Sequence, residues 1–155
     1  MMKNSASFIL LVSSVCFAQT NVERHFNKIL LDIEKRIESK YSEYGIKNQL
    51  WSQNFNVAKK GDVITFYTTS NNSLCHLKVL SFFKNKRISI NEADNCNEPP
   101  TISITKIFYN YKIYKNHLKI FDQDNSVLDL KIINIENYQQ EKFGENSFKL
   151  TFSVE

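Results

Sequence analysis

The sequence predicts an α+β protein: one N-terminal amphipathic helix packed on a curved antiparallel β-meander of seven to eight strands, left open or closed into a small barrel. Three observations carry this expectation. Apolar residues recur every three or four positions from Val22 to Tyr44, then every second position from Trp51 onward, and the period-two segments are joined by short polar links.

The first eighteen residues read as a cleavable signal peptide. Lys3 supplies one positive charge, no residue from Phe8 to Ala18 is charged, and Cys16-Phe17-Ala18 places small residues three back and one back from a cut before Gln19. The apolar run is about half the ~20 residues that span a bilayer as a helix, so the segment predicts export and not a permanent anchor. Val15 precedes Cys16 where a lipoprotein signal places Gly, Ala or Ser, which favours simple cleavage. Removing 18 of the 155 residues leaves 137, and a formal charge of +4 falls to +3 with the loss of Lys3. That length suits one domain, 19–155, with one core. The charge is too small and too dispersed to require a polyanionic partner. The expected location is the periplasm or the extracellular space, and the Lys, Asn and Ile bias suggests a bacterial source.

The helix is expected over about 21–44. Val22, Phe26, Ile29, Leu30, Ile33, Ile37, Tyr41 and Tyr44 draw one stripe, and Lys28, Asp32, Glu34, Lys35 and Arg36 lie opposite, with Asp32 and Arg36 four apart. Thr20 and Glu23 have the spacing of a capping box, and Gly45 stands where a left-handed C-terminal cap would fall.

Strands are expected at 51–57, 63–68, 74–83, 87–91, 102–114, 118–122, 128–135 and 148–154, all rich in β-branched and aromatic residues. Short links allow only antiparallel neighbours, since a parallel pair needs a long crossover. A two-residue turn at Lys115-Asn116 sets Ile113 opposite Leu118 and Tyr111 opposite Ile120, with Tyr109 and Ile107 continuing the buried face. Between 102 and 114 the apolar set moves from even positions (Ile102, Ile104) to odd ones (Ile107, Tyr109, Tyr111), which predicts a bulge or break near Lys106.

Two cysteines follow the signal segment. In an exported protein Cys75 and Cys96 read as a disulfide. A hairpin turning at Lys84-Asn85-Lys86 pairs residues whose numbers sum to about 170, so Cys75 faces residue 95, one position from Cys96. A metal site of Cys75, His76 and Cys96 is disfavoured, because adjacent strand residues point to opposite faces.

No residue pattern identifies an enzyme, a cofactor or a metal centre. Asp122-Gln123-Asp124-Asn125-Ser126 resembles the start of a calcium loop, but Val127 and Ile133 stand where an EF-hand needs Gly and Glu, so a hairpin turn is expected. Glu92, Asp94 and Glu98 make an acidic loop. Phe108, Tyr109, Tyr111 and Tyr114 alternate with Lys112, Lys115, His117 and Lys119, a pattern that suits either an anionic ligand or a half-exposed strand. His25, His76 and His117 are dispersed. The leading expectation is therefore a non-catalytic binding protein holding a small apolar ligand in the concave face of its sheet, lined by Trp51, Phe66, Tyr109, Tyr111 and Phe152. The alternative is a protein-interaction module, such as an envelope assembly factor or exported inhibitor, that uses the disulfide-pinned loop 91–100. A hydrolase would require a polar cleft collecting His76 or His117 with carboxylates.

Overall fold

The computed structural model describes residues 5–55, 59–69, 75–94, 96, 101–103, 105–138 and 147–155, with backbone only for 5–20. Helix α1 (Ser5–Ser39) is followed by nine strands: β1 (Gln49–Ser52), β2 (Val63–Tyr67), β3 (His76–Phe83), β4 (Arg87–Asp94), β5 (Thr101–Ser103), β6 (Tyr109–Tyr114), β7 (His117–Asp122), β8 (Asn125–Asn137) and β9 (Phe148–Val154). All pairings are antiparallel. Eight strands close in the order β3-β1-β2-β9-β8-β7-β6-β4, with β4 returning to β3, and β5 extends from β4 as a ninth strand. The predicted α+β class and the barrel are both present.

Closure rests on a long-range pairing. β2 and β9 match from Val63↔Ser153 to Tyr67↔Lys149, and β1 bridges β2 and β3 through Trp51↔Tyr67 and Leu50↔Leu80. The simple meander is thus corrected at one point: β2 and β3 are not neighbours, because β1 lies between them. Closing the sheet pairs the edges that a meander would leave open.

α1 differs from expectation at both ends. It runs unbroken through Thr20, so Thr20 does not start it, and it stops at Ser39 instead of Tyr44. Lys40 takes a positive φ of 58°, its N–H still donates to the Arg36 carbonyl at 3.0 Å, and Arg36 Nη1 donates back to the Lys40 carbonyl. The left-handed cap is therefore a lysine, and Gly45, with φ 72°, serves the next turn instead. Asp32 is buried rather than on the solvated face, and Tyr41 and Tyr44 lie beyond the helix.

The helix lies on the inner face of the sheet. Phe26, Ile29, Leu30 and Ile33 join Leu50, Ile64, Phe66, Leu80, Phe82, Ile88, Tyr111, Leu118, Ile120, Leu130, Ile132, Leu150 and Phe152 in one buried cluster. Phe152 is the hub, edge-on to Phe26 at 5.4 Å and to Phe66 at 5.7 Å.

The β6–β7 hairpin has the predicted register, Tyr111↔Ile120 and Ile113↔Leu118, about the turn Lys115-Asn116. The β7–β8 turn is a tight one at Gln123-Asp124, between Asp122↔Asn125. β8 pairs β7 through its first half and β9 through its second, with irregularities that leave Val127 and Ile133 without a partner residue. Both are exposed, and these bulges add the bend that a closed sheet needs.

The expected strand 102–114 is two strands, β5 and β6. Between them the Thr105 N–H donates to Asn91 Oδ1 at 3.0 Å and the Thr105 hydroxyl to the Ile90 carbonyl at 2.9 Å. Asn91 is itself buried and donates to Ser81 Oγ and Ser89 Oγ. This network takes the ladder's place. Odd positions face inward on both β5 and β6, so the apolar set moves in the sequence because Ile102 points outward, not because the chain changes face. Ile107 is exposed rather than continuing the buried face.

Candidate functional site

The inner face changes character along β3 and β4. Cross-strand pairs Phe82↔Ile88 and Leu80↔Ile90 belong to the apolar core, whereas Lys78↔Glu92 and His76↔Asp94 continue the same face with charge. Side chains two apart on a strand share a face, so these pairs and the β5 residues opposite Glu92 and Asp94, Ser103 and Thr101, form one floor. His76, Leu77, Lys78, Glu92, Ala93, Asp94, Thr101 and Ser103 line a groove of about 470 Å3 there.

Its internal bonds are short-range and polar. Lys78 Nζ donates to Glu92 Oε1, and this hydrogen bond, with the ammonium charge, holds the Glu92 carboxyl below its ordinary value. His76 Nδ1 stands 3.6 Å from Asp94 Oδ2, while Asp94 Oδ1 accepts the Cys96 N–H at 3.0 Å. Cys75 and Cys96 form the predicted disulfide, with Cα atoms 4.8 Å apart. The sum rule holds in the register, His76↔Asp94 being the last rung before the bridge. The groove therefore ends at a covalent clamp between β3 and the segment after β4.

The five residues expected to line an apolar pocket separate. Phe66, Tyr111 and Phe152 are buried in the main cluster and Tyr109 packs against it, but Trp51 is on the outer face with Leu77, Val79 and Ala93. Trp51 Nε1 is buried with no hydrogen-bond partner among the described residues. The aromatic centre is filled by side chains of α1.

Two smaller clefts of about 290 and 250 Å3 flank α1 and share Glu34 and Lys86. Lys86 Nζ donates to Glu34 Oε1, and the Tyr111 hydroxyl donates to the same oxygen at 3.3 Å. Burial, and then the Glu34 charge, push the Tyr111 phenol well above its usual range. Tyr111 thus stays protonated and acts as a donor tying β6 to the helix.

The remaining candidates fall elsewhere. On the outer face His117 Nδ1 lies 2.7 Å from Asp129 Oδ1, and Lys119 Nζ lies 2.8 Å from Asp129 Oδ2. Lys112 sits opposite Lys119, and Lys115 lies over the Tyr114 ring at 5.4 Å. His25 packs edge-on to Phe148, and burial, then Lys28, lower its pKa. Glu98 and residues 97–100 of the expected contact loop lie outside the described residues, as does Val57. Among the described residues no group of His, Cys, Asp and Glu is placed to hold a metal ion, and no helix is long and apolar enough to cross a membrane. Sequence reasoning singled out Glu92 and Asp94 but not Lys78, Thr101 or Ser103. Their one signal was pairing, which sets them on the same floor.

No protein-family model, no curated protein and no solved structure matches this chain.

Proposed function

We propose that this chain is an exported binding protein without catalytic activity, and that its ligand occupies the groove at the Cys75–Cys96 end of the inner face. The observation that carries the reading is the groove's floor: six polar side chains from three hydrogen-bonded strands, closed by a disulfide. A site on strands holds its geometry better than one on loops. Its volume of about 470 Å3 falls among those of ligand sites. The bridge supports export, because disulfides persist in oxidising compartments, and the N-terminal pattern of charge, apolar run and small residues supports the same route.

The polar floor favours a ligand with polar or charged groups over the small apolar one. An apolar molecule at Phe66, Tyr111 and Phe152 would have to displace Phe26, whereas the groove is open already.

The test is native mass spectrometry of the protein purified from its source without denaturant, beside a Ser103→Trp variant in which the indole fills the groove. An added mass on the wild type that the variant lacks is the expected result. An added mass retained equally by both, or none on either, overturns the proposal.

A further inference from the structure

We infer that the groove takes an extended, basic peptide segment of a partner protein, added as a strand along the outer edge of β5; this rests on the groove being the binding site. β5 is the last strand in the sheet order, and among the described residues nothing pairs with its second edge. All three of its residues are exposed. A strand edge of this kind is a template for strand addition, in which main-chain bonds give affinity and alternate side chains give specificity.

Register fixes what those side chains meet. Thr101 and Ser103 face the floor beside Asp94 and Glu92, while Ile102, opposite Ala93, faces outward toward the cluster of Trp51, Leu77 and Val79. In an added strand, every second residue would face the floor and the residue between would extend the outer apolar cluster over Ile102. β4 lies two strands away from the newcomer, about 10 Å. The short side chains of Thr101 and Ser103 leave that path open, and a Lys or Arg side chain is long enough to cross it.

Charge selects the occupant. The groove holds two carboxylates, Glu92 and Asp94, against one ammonium, Lys78. The chain around this acidic pair is basic, with a formal net charge of +4, or +3 without Lys3. A cationic segment is repelled by the protein as a whole and attracted here. A second copy of the same edge would set acidic floors against each other, so the partner is a different protein. The recognised pattern is basic–apolar–basic.

The experiment is an NMR titration of the 15N-labelled, disulfide-bonded exported protein with acetyl-Thr-Lys-Val-Lys-Thr-amide. Its controls are the peptide with Glu for Lys and the peptide N-methylated at alternate backbone nitrogens. Shifts confined to β5, His76, Lys78 and Glu92 are expected, at least about tenfold weaker for the acidic peptide and lost on N-methylation. Glu92→Gln should weaken the basic peptide and leave its sensitivity to N-methylation. Equal binding of both charges, shifts elsewhere, or indifference to N-methylation overturns strand addition. If the peptides leave the groove unmoved while Ser103→Trp still removes the native added mass, strand addition is wrong and the groove reading stands. If that added mass also survives the variant, both fall.

Discussion

The Asp32 carboxylate accepts the backbone N–H of Glu43 at 2.5 Å, so the helix holds down the chain that leaves it. The same oxygen accepts the Tyr44 N–H at 3.2 Å, and the other accepts the Ser42 hydroxyl. Asp32 is 2% exposed, which makes it the one carboxylate buried among the described residues. Its bonds replace water for three donors that the tight turn leaves without strand or helix partners.

Asp32→Ala should therefore cost about 3 kcal/mol, since charged acceptors contribute more than neutral ones and orphaned donors add their desolvation. Urea unfolding would show a lower midpoint with an unchanged slope. Lys35→Ala breaks the exposed ion pair with Glu43 and should leave the midpoint where it is.

The aromatic hub makes a second prediction. Phe26→Ala removes the helix side chain that packs on Phe152 and should cost about 3–5 kcal/mol, whereas Leu31→Ala, on the exposed flank of the same helix, should change stability by less than about 0.5 kcal/mol. Phe26, Ile29, Leu30 and Ile33 all lie beyond Ala18. Cleavage there leaves every described core contact of α1 in place.

Export and oxidation are tested together by intact mass. Protein from its source should have the mass of residues 19–155, two hydrogens below the fully reduced form. The bridge closes a loop with a sequence separation of 21. In the chain-entropy picture, changing both Cys75 and Cys96 to Ser should cost about 3 kcal/mol. A mass including residues 1–18, or two free thiols, contradicts the assignment.

Asp129 should make stability fall in acid. Burial raises its pKa, but hydrogen bonds from Lys119 and His117 and their charges outweigh that and leave it below the ordinary 3.8. A carboxyl whose folded pKa is depressed stabilises the fold above its unfolded value and loses that contribution as pH falls through the folded one. The stability gap between wild type and Asp129→Asn should therefore close below about pH 4. A gap that widens in acid would contradict the pairing.

Much of the fold was legible because it is local. The alternation from Phe148 to Val154 defines β9, the two-residue turn at Lys115-Asn116 sets Ile113 against Leu118, and the sum of 170 brings Cys75 to Cys96. What was not legible depends on distant partners. Asp32 looks like any helical surface carboxylate until residues 42–44 fold over it. Lys40 ends the helix with a φ that its side chain does not announce. β2 meets β9 across most of the chain, and Trp51 shares the outer face with its partner Val79, which a four-residue strand with three buried residues does not reveal by alternation. The groove was hidden for the opposite reason: Lys78, Thr101 and Ser103 are ordinary surface residues until the pairing of β3, β4 and β5 places them on one floor with Glu92 and Asp94.

Binding of a partner at the disulfide end of the inner face can be read by photo-crosslinking in the living source cell. p-Benzoyl-phenylalanine would replace Thr101 in the groove or, as control, Lys112 on the outer face. The groove position should give a defined covalent adduct and the outer position none. No adduct at Thr101, or the same adduct from both positions, would show that the groove is not where a partner binds.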